Sequence, residues 1–328
     1  MSSVLIIGAA GMVGVKLTKR LVEDGIVAGK SIDALGLVDI VAPVAPGGVS
    51  FRVATLAADL SSPGAADTVV ASRPDVIFHL AAIVSGEAEA DFEKGYRVNL
   101  DGTRFLFEAI RKVGDGYKPR LVFTSSIAVF GAPFPDAISD EFFETPLTSY
   151  GTQKAIDELL LSDYTRRGFM DGIGIRLPTI CVRPGKPNKA ASGFFSGIIR
   201  EPLAGHEAVL PVPETVRHWH ASPRSAVGYL VHAAGLDGAK LGSRRNLSMP
   251  GVSATVGEQI TALRKVAGDK VAERIRQEPD ATIMKIVEGW PRNFAPVRAT
   301  ALGFRAEHDF EEIIRIHIED ELAGTWVT

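Results

Sequence analysis

Short apolar bursts, each followed by an amphipathic stretch, run through the first half of the chain. "SVLIIG", "ALGLVD", "FRVATLAAD", "VIFHLA", "RLVFTSS" and "GIGIRLPTI" read as strands. They are near-continuous in Val, Ile, Leu and Phe, as strands buried on both faces of a parallel sheet are. Between them the spacing predicts helices over 12–24, 63–72, 91–113 and 149–168. Strand and helix in alternation mean βαβ units, so the expected fold class is α/β: a Rossmann-type doubly wound parallel sheet with a smaller C-terminal part. Beyond Ile180 the rhythm loosens. "RPGKPNKAASG" reads as a loop and "FFSGIIREPLAG" as a helix, and "VRATALGFRAEHDFEEIIRIHIEDEL" reads as helical at both ends of a short loop. The predicted division is therefore 1–180 and 181–328, with 217–240 returning to the first part.

Composition narrows the partners. At 328 residues with 46% apolar and 23% charged positions, the chain can bury a large core and reads as a globular protein. Its formal charge of −3 supplies no basic surface to attract nucleic acid or an anionic membrane, so a small molecule is the expected partner. The single cysteine, Cys181, rules out an internal disulfide and fits a reducing compartment. The opening "MSSVLIIGAAGMVG" has no basic segment before its apolar run, so no signal peptide is expected. No apolar stretch reaches the roughly 18 residues that would span a membrane. Cytoplasm is the expected location.

The first strand runs straight into Gly8, Gly11 and Gly14, with Met12 between them, and then into a helix. A glycine turn there lets backbone N–H groups approach a pyrophosphate, while the helix start points its positive end at the same place. The second strand ends in Asp39, 25 residues after Gly14, near the interval at which an acidic side chain meets an adenosine ribose. Such a carboxylate accepts from ribose hydroxyls and repels a 2′-phosphate, and Ile40 and Val41 bring no cation. The expected cofactor is NAD rather than NADP, and Asp59, after the third strand, could reach the adenine in the same way.

Hydroxyls end the strand "RLVFTSS", where an apolar run would otherwise continue. In "SYGTQKAIDELLL", Tyr150 and Lys154 lie on one helical face. A phenol, ordinarily titrating near 10, becomes a usable base when a fixed ammonium favours its anion. Taken alone, such a Tyr–Lys pair also occurs on solvated helices. Ser126, 24 residues earlier, could hold a substrate oxygen against Tyr150, which would place the strand-end hydroxyls in a crevice. Thr124 and Ser125 read as strand-end or cofactor-side groups.

With "GAAGMVG", "ADL", "HLAA", "VNLDGT", "FTSSIAVFG", "YGTQK" and "RLPTICVRPG" in this order, the chain resembles the extended short-chain dehydrogenase/reductase family of the nucleotide-sugar epimerase/dehydratase type. The resemblance implies a catalytic set of Ser126, Tyr150 and Lys154, with Tyr150 as acid/base and Lys154 also on the nicotinamide ribose. It implies that Asn99 supports the nearby helix or a relay water, and that Leu80, Ala81 and Ala82 pass beside the cofactor. Plain strand packing is equally compatible with those three. Where many epimerases of the family bind the nucleotide diphosphate, this chain has "RHWHASPRS", with His218 in an acidic position and the later acid missing. The segments "AAIVSGEAEADFEKGYRVNLDGTR", "RLPTICVRPGKPNKAASGFFS" and "NLSMPG" look instead like a branch that oxidises a four-carbon sugar acid at C2 with NAD. That implies that 181–328 is mainly substrate-binding. Arg183 and Arg217 are candidates for the substrate carboxylate, and Ser85 and Thr179 for its hydroxyls; each also reads as an ordinary loop contact. His218 and His220 could share one strand face, yet no third ligand stands close by, and no metal is expected. A nucleotide-sugar epimerase with bound NAD, or a non-catalytic NAD sensor, are the alternatives. The resemblance also implies a homodimer through the Tyr/Lys helix, with which Ile156, Leu159 and Leu160 are consistent; packing of the same three against the sheet is equally compatible.

Overall fold

The computed structural model describes residues 1–185 and 191–328; residues 186–190, inside the loop read from "RPGKPNKAASG", lie outside the described residues. In chain order the elements are β1 (Ser2–Ile7), α1 (Met12–Asp24), β2 (Ile26–Val27), β3 (Lys30–Asp39), β4 (Arg52–Ala57), α2 (Ala65–Val70) and β5 (Val76–His79). There follow α3 (Ser85–Ala90), α4 (Phe92–Gly95), α5 (Gly102–Val113), β6 (Arg120–Ser126), β7 (Ile138–Ser139), α6 (Ser149–Arg166) and β8 (Asp171–Leu177). Next come β9 (Thr179–Ile180), α7 (Gly193–Leu203), β10 (Ala208–Leu210), β11 (Arg217–Ala221), α8 (Pro223–Gly235), β12 (Asn246–Ser248), β13 (Val252–Thr255) and α9 (Val256–Ala267). The last are α10 (Asp269–Ala272), β14 (Ile275–Gln277), α11 (Ala281–Glu288), β15 (Phe294–Ala295), α12 (Val297–Ala301) and α13 (Phe310–Glu321).

Two compact units are interleaved along the chain: unit 1 is Met1–Val129, Thr148–Arg176 and Val227–Ser248, and unit 2 is Phe130–Leu147, Leu177–Ala226 and Met249–Thr328. A single division at 180 does not describe them. Of the stretch 217–240 expected to return to the first part, 227–240 lies in unit 1, whereas 217–221 form β11 and pair with β9 and β13 of unit 2.

Unit 1 is built on a sheet in the order β12-β8-β6-β5-β1-β3, with β4 parallel to β3 and the short β2 antiparallel to it. From β1 the chain steps one way to β3 and β4 and then the other way to β5 and β6, all in parallel. This reversal puts a crevice at the carboxyl ends of β1 and β5, where doubly wound sheets bind ligands. Strand burial follows composition: β5, "VIFH", is buried throughout, whereas β4, at the edge, is largely exposed. Leu5, Ile7, Ile77, Leu121 and Phe123 pack with Leu106, Phe107, Ile110 and Leu161 into one core. The helix predicted over 91–113 is α4 and α5 joined by a π-helical turn, Tyr96–Asp101, which carries Asn99. Wide turns of this kind recur at functional sites.

The stretch "GIGIRLPTI" is two strands, β8 and β9, with Pro178 between them. Proline donates no N–H to a ladder and so marks the end of one strand. In unit 2, β9, β11 and β13 form a three-stranded sheet, and β10–β14 and β7–β15 are parallel pairs. Its core gathers Phe195, Ile198 and Ile199 of α7, Ile260 and Leu263 of α9, and Phe310, Ile313 and Ile314 of α13. Helix α9 begins with a capping box: Thr255 accepts from the Glu258 N–H and Glu258 accepts from the Thr255 N–H.

Candidate active site

The glycine loop is held by close backbone approach. Gly8 and Ala9 donate to the Val38 carbonyl at 2.8 and 3.0 Å, and Gly8 has φ of 91°, in the region that favours glycine. A Cβ on Gly14 would stand 2.2 Å from the Gly8 carbonyl oxygen, and one on Gly8 2.7 Å from the Ala81 nitrogen. Helix α1 starts at Gly11 with no side-chain cap, and Gly11 is exposed. The loop therefore presents bare backbone at a helix start, which fits a pyrophosphate. Met12 is half-buried as the first residue of α1.

At the carboxyl end of β3, Asp39 accepts from the Ala10 N–H at 2.9 Å and from the Ile40 N–H at 2.7 Å. Its carboxylate thus braces the glycine loop and keeps lone pairs for ribose hydroxyls. Asp59 follows β4 and accepts from the Ser61 N–H and hydroxyl at 2.9 and 2.6 Å, with Arg97 at 3.3 Å. Leu80, Ala81 and Ala82 leave the buried end of β5 half-exposed, and half-buried Ser85 opens α3. Asn99 is fully buried; its side chain accepts from Ile83 N–H at 2.9 Å and donates to Gln153 on α6 at 2.8 Å.

The three hydroxyls that end β6 have different partners. Thr124 donates to the His79 carbonyl across the sheet at 3.1 Å. Ser125, read as a strand-end or cofactor-side group, donates to buried Glu158 of α6 at 2.5 Å. Half-buried Ser126 accepts from the Ala128 N–H at 3.1 Å.

Tyr150 sits half-buried in the first turn of α6, and Lys154 one turn later is 1% exposed. The solvated-face reading of this pair fails for Lys154. Its ammonium lies 4.5 Å from the Phe123 ring centre and 5.8 Å from that of Tyr150. Burial pulls the Lys154 ammonium down to about 8, while the charges of Asp157 and Glu158 work the other way. Burial and the Lys154 charge pull neighbouring His79 down to about 3, so its imidazole is neutral and shares a 2.9 Å hydrogen bond with Thr103.

Sequence reading missed the charges around Lys154. Glu158 receives Arg176 of β8 in a forked pair, with contacts of 2.6, 2.9 and 3.1 Å, both side chains at or below 9% exposure. An arginine inside the apolar "GIGIRL" was the available signal, since a buried strand tolerates it only beside a carboxylate.

Unit 1 therefore brings together Gly8, Gly11, Met12, Gly14, Asp39, Asp59, Leu80, Ala81, Ala82, Ser85, Asn99, Ser126, Tyr150 and Lys154; Thr179, Arg183 and Arg217 belong to unit 2. Of the unit 1 set, Gly8, Asp39, Asp59, Ala81 and Ser126 follow or end parallel strands at one edge of the sheet. In unit 2, Thr179 hydrogen-bonds His218 at 2.7 Å, and His220 meets Gln259 at 3.0 Å. Arg183 is engaged with the Ile180 carbonyl and the Ser192 hydroxyl, both at 3.0 Å. Arg217 reaches Ser253 and Glu258 at 3.2 Å and lines a cleft of about 720 Å³ with Arg292 and Asn293. Among the described residues no group of three or more His, Cys, Asp or Glu could hold a metal ion, and no helix is long and apolar enough to cross a membrane.

Residues 4–220 match the NAD dependent epimerase/dehydratase family. The chain belongs to this family. Its members' cofactor is NAD, and the glycine loop and Asp39 fit that group. Within the family the chain is 48% identical to a D-erythronate dehydrogenase of Cupriavidus necator over 97% of its length and 98% of that protein. It is 44% identical to a D-erythronate dehydrogenase of Haemophilus influenzae over 97% of its length and 99% of that protein. A crystal structure described as a nucleoside-diphosphate-sugar epimerase from Agrobacterium tumefaciens is 69% identical, with a TM-score of 0.97 over 99% of this chain and 95% of that one. The chain is an NAD-dependent oxidoreductase of the family.

Proposed function

We propose that this enzyme oxidises the C2 hydroxyl of D-erythronate to 2-oxo-D-erythronate, with Tyr150 as general base. The substrate comes from the two relatives named for it, each aligned over nearly its whole length. The observation that carries the chemistry is Lys154: an ammonium buried one turn from Tyr150 acts in a low dielectric, where it favours phenolate far more than in water.

In this reading the Tyr150 phenolate takes the proton of the C2 hydroxyl, and the Ser126 hydroxyl donates to the same oxygen and orients it. Lys154 compensates the phenolate charge, and its place on α6 is fixed through Gln153 by Asn99. Bound NAD supplies the hydride acceptor, so one proton and one hydride leave the substrate and no water or metal enters. Gly8, Gly11, Met12 and Gly14 would hold its pyrophosphate, Asp39 its adenosine ribose, Asp59 its adenine side and Lys154 its nicotinamide ribose. Leu80, Ala81 and Ala82 would line its path. Ser85, Thr179 and the guanidinium of Arg183 or Arg217 are proposed for the sugar acid. Arg217 lines an open cleft, with Ser253 and Glu258 on its guanidinium, and Arg183 is bonded to the Ile180 carbonyl and the Ser192 hydroxyl.

The test is incubation of the purified protein with D-erythronate and NAD while NADH absorbance is followed, with Tyr150→Phe in parallel. Turnover that falls by roughly 10²–10⁴-fold in the variant supports the reading, since that is the usual contribution of a general base. A second reading, nucleotide-sugar epimerisation, is favoured by the description of the Agrobacterium structure. Silence with D-erythronate and turnover of a UDP-sugar would decide for it.

We also propose a homodimer through α6, where Leu159 is 68% exposed between the partly buried Ile156 and Leu160. Light scattering should show a dimer that Leu159→Arg converts to monomer; a wild-type monomer removes the proposal.

A further inference from the structure

Four ionisable side chains are buried together in unit 1: Lys154, Asp157 and Glu158 on α6, and Arg176 on β8. One pair is closed by geometry, because Glu158 is taken up by the Arg176 fork and the Ser125 hydroxyl. His79, on β5, is neutral. Thr103, on α5, bonds His79 and the Asn99 carbonyl, and its hydroxyl, which carries no charge, also favours the Asp157 carboxylate. Asp157 and Glu158 both act on Lys154; of the two, Asp157 is the one not taken up by the Arg176 fork, three positions along the same helical face and 0% exposed.

We propose that Asp157 is a positioning residue that acts through Lys154: its carboxylate supplies the buried negative charge that keeps the ammonium protonated and so carries the action of Tyr150 to higher pH. The inference rests on the proposed role of Tyr150. Burial is the larger effect on both, pulling Lys154 down to about 8 and pushing the Asp157 carboxyl well above its ordinary range; each partner opposes it in the other, the Asp157 charge raising Lys154 and the Lys154 charge lowering Asp157. The two groups therefore titrate as one coupled pair. An amide at 157 removes the anion and leaves a lone buried cation, which sheds its proton at lower pH.

The experiment is the pH profile of kcat/KM for wild type, Asp157→Asn, Asp157→Glu and Tyr150→Phe. Asp157→Asn is expected to move the alkaline limb down by about one pH unit, a loss of about tenfold above both limbs, and Asp157→Glu to restore part of it. An Asp157→Asn profile lowered uniformly with its limbs in place overturns the inference while a dead Tyr150→Phe leaves the mechanism standing. An active Tyr150→Phe takes down both. Thermal melting of Asp157→Asn against Lys154→Met/Asp157→Asn gives a readout without substrate, and it serves even where the single variant does not fold. Recovery in the double variant shows that the two charges balance each other; equal damage in both assigns Asp157 to packing and refutes the proposal.

Discussion

Lowering the pH from 7 to 5 should destabilise unit 2 by about 4 kcal/mol, through two histidines that fold neutral. His218 and His220 are 3% and 0% exposed, stacked on and edge-on to Phe195. Burial pulls His218 down to about 4 and His220 well below its ordinary value, with the charge of Arg183 adding to both. In the unfolded chain each titrates near 6.5. Between that value and the native one, the unfolded state binds a proton that the native state refuses. The contribution is fully present above about pH 6.5 and is lost as pH falls toward 4. At pH 5 each unfolded imidazole is about 1.5 units below its midpoint, worth about 2 kcal/mol per group, and two groups double that. The sum is a large part of the roughly 5–15 kcal/mol by which a domain is stable.

The protein's three tryptophans, Trp219, Trp290 and Trp326, all lie in unit 2, so their emission during urea unfolding reads that unit alone. The stability difference between pH 7 and pH 5 should be about 4 kcal/mol in wild type and about 2 kcal/mol in either His218→Gln or His220→Gln. Using the change with pH rather than the stability itself cancels whatever packing each substitution disturbs. A wild-type difference below about 1 kcal/mol, or variants that leave it intact, would mean that these imidazoles accept protons in the native state.

Gly14→Ala should weaken NAD binding at least tenfold by calorimetric titration, because its Cβ would lie 2.2 Å from the Gly8 carbonyl, and backbone there cannot yield without opening the loop. Asp39→Ser combined with Ile40→Arg should relax a preference for NAD over NADP, read as the ratio of the two kcat/KM values; a wild type that already uses both cofactors equally contradicts the role given to Asp39. Glu158→Gln should lower stability by about 3–5 kcal/mol in thermal melts followed by circular dichroism, since it strands the Arg176 guanidinium at 9% exposure.

Much of unit 1 was legible because its signals are local. A strand buried on both faces needs an apolar run, and a helix against it needs a stripe, so β1, β5, β6, α1 and α6 could be read within a residue or two. Unit 2 was not, because β10 and β14, or β7 and β15, are short pairs whose partners lie far apart along the chain. Nothing local distinguishes them from loop. The expected return of 217–240 has 227–240 in unit 1, but the pairing of β12 with β8 beyond it is a contact that periodicity does not encode.

At the site, spacing conveys direction but not depth. The interval between Tyr150 and Lys154 places them on one helical face, and that holds equally for a solvated face and a buried one; what separates the cases is the tertiary cover from Phe123 and the charges behind it. The hydroxyl run shows the same limit. Alternation along β6 turns Ser125 away from Thr124 and Ser126, so one side chain is drawn into the Glu158–Arg176 pair while its neighbours keep to the sheet edge. A strand end therefore spends similar side chains on separate tasks, and Ser126, the half-buried last residue of β6, is the hydroxyl proposed for the substrate oxygen.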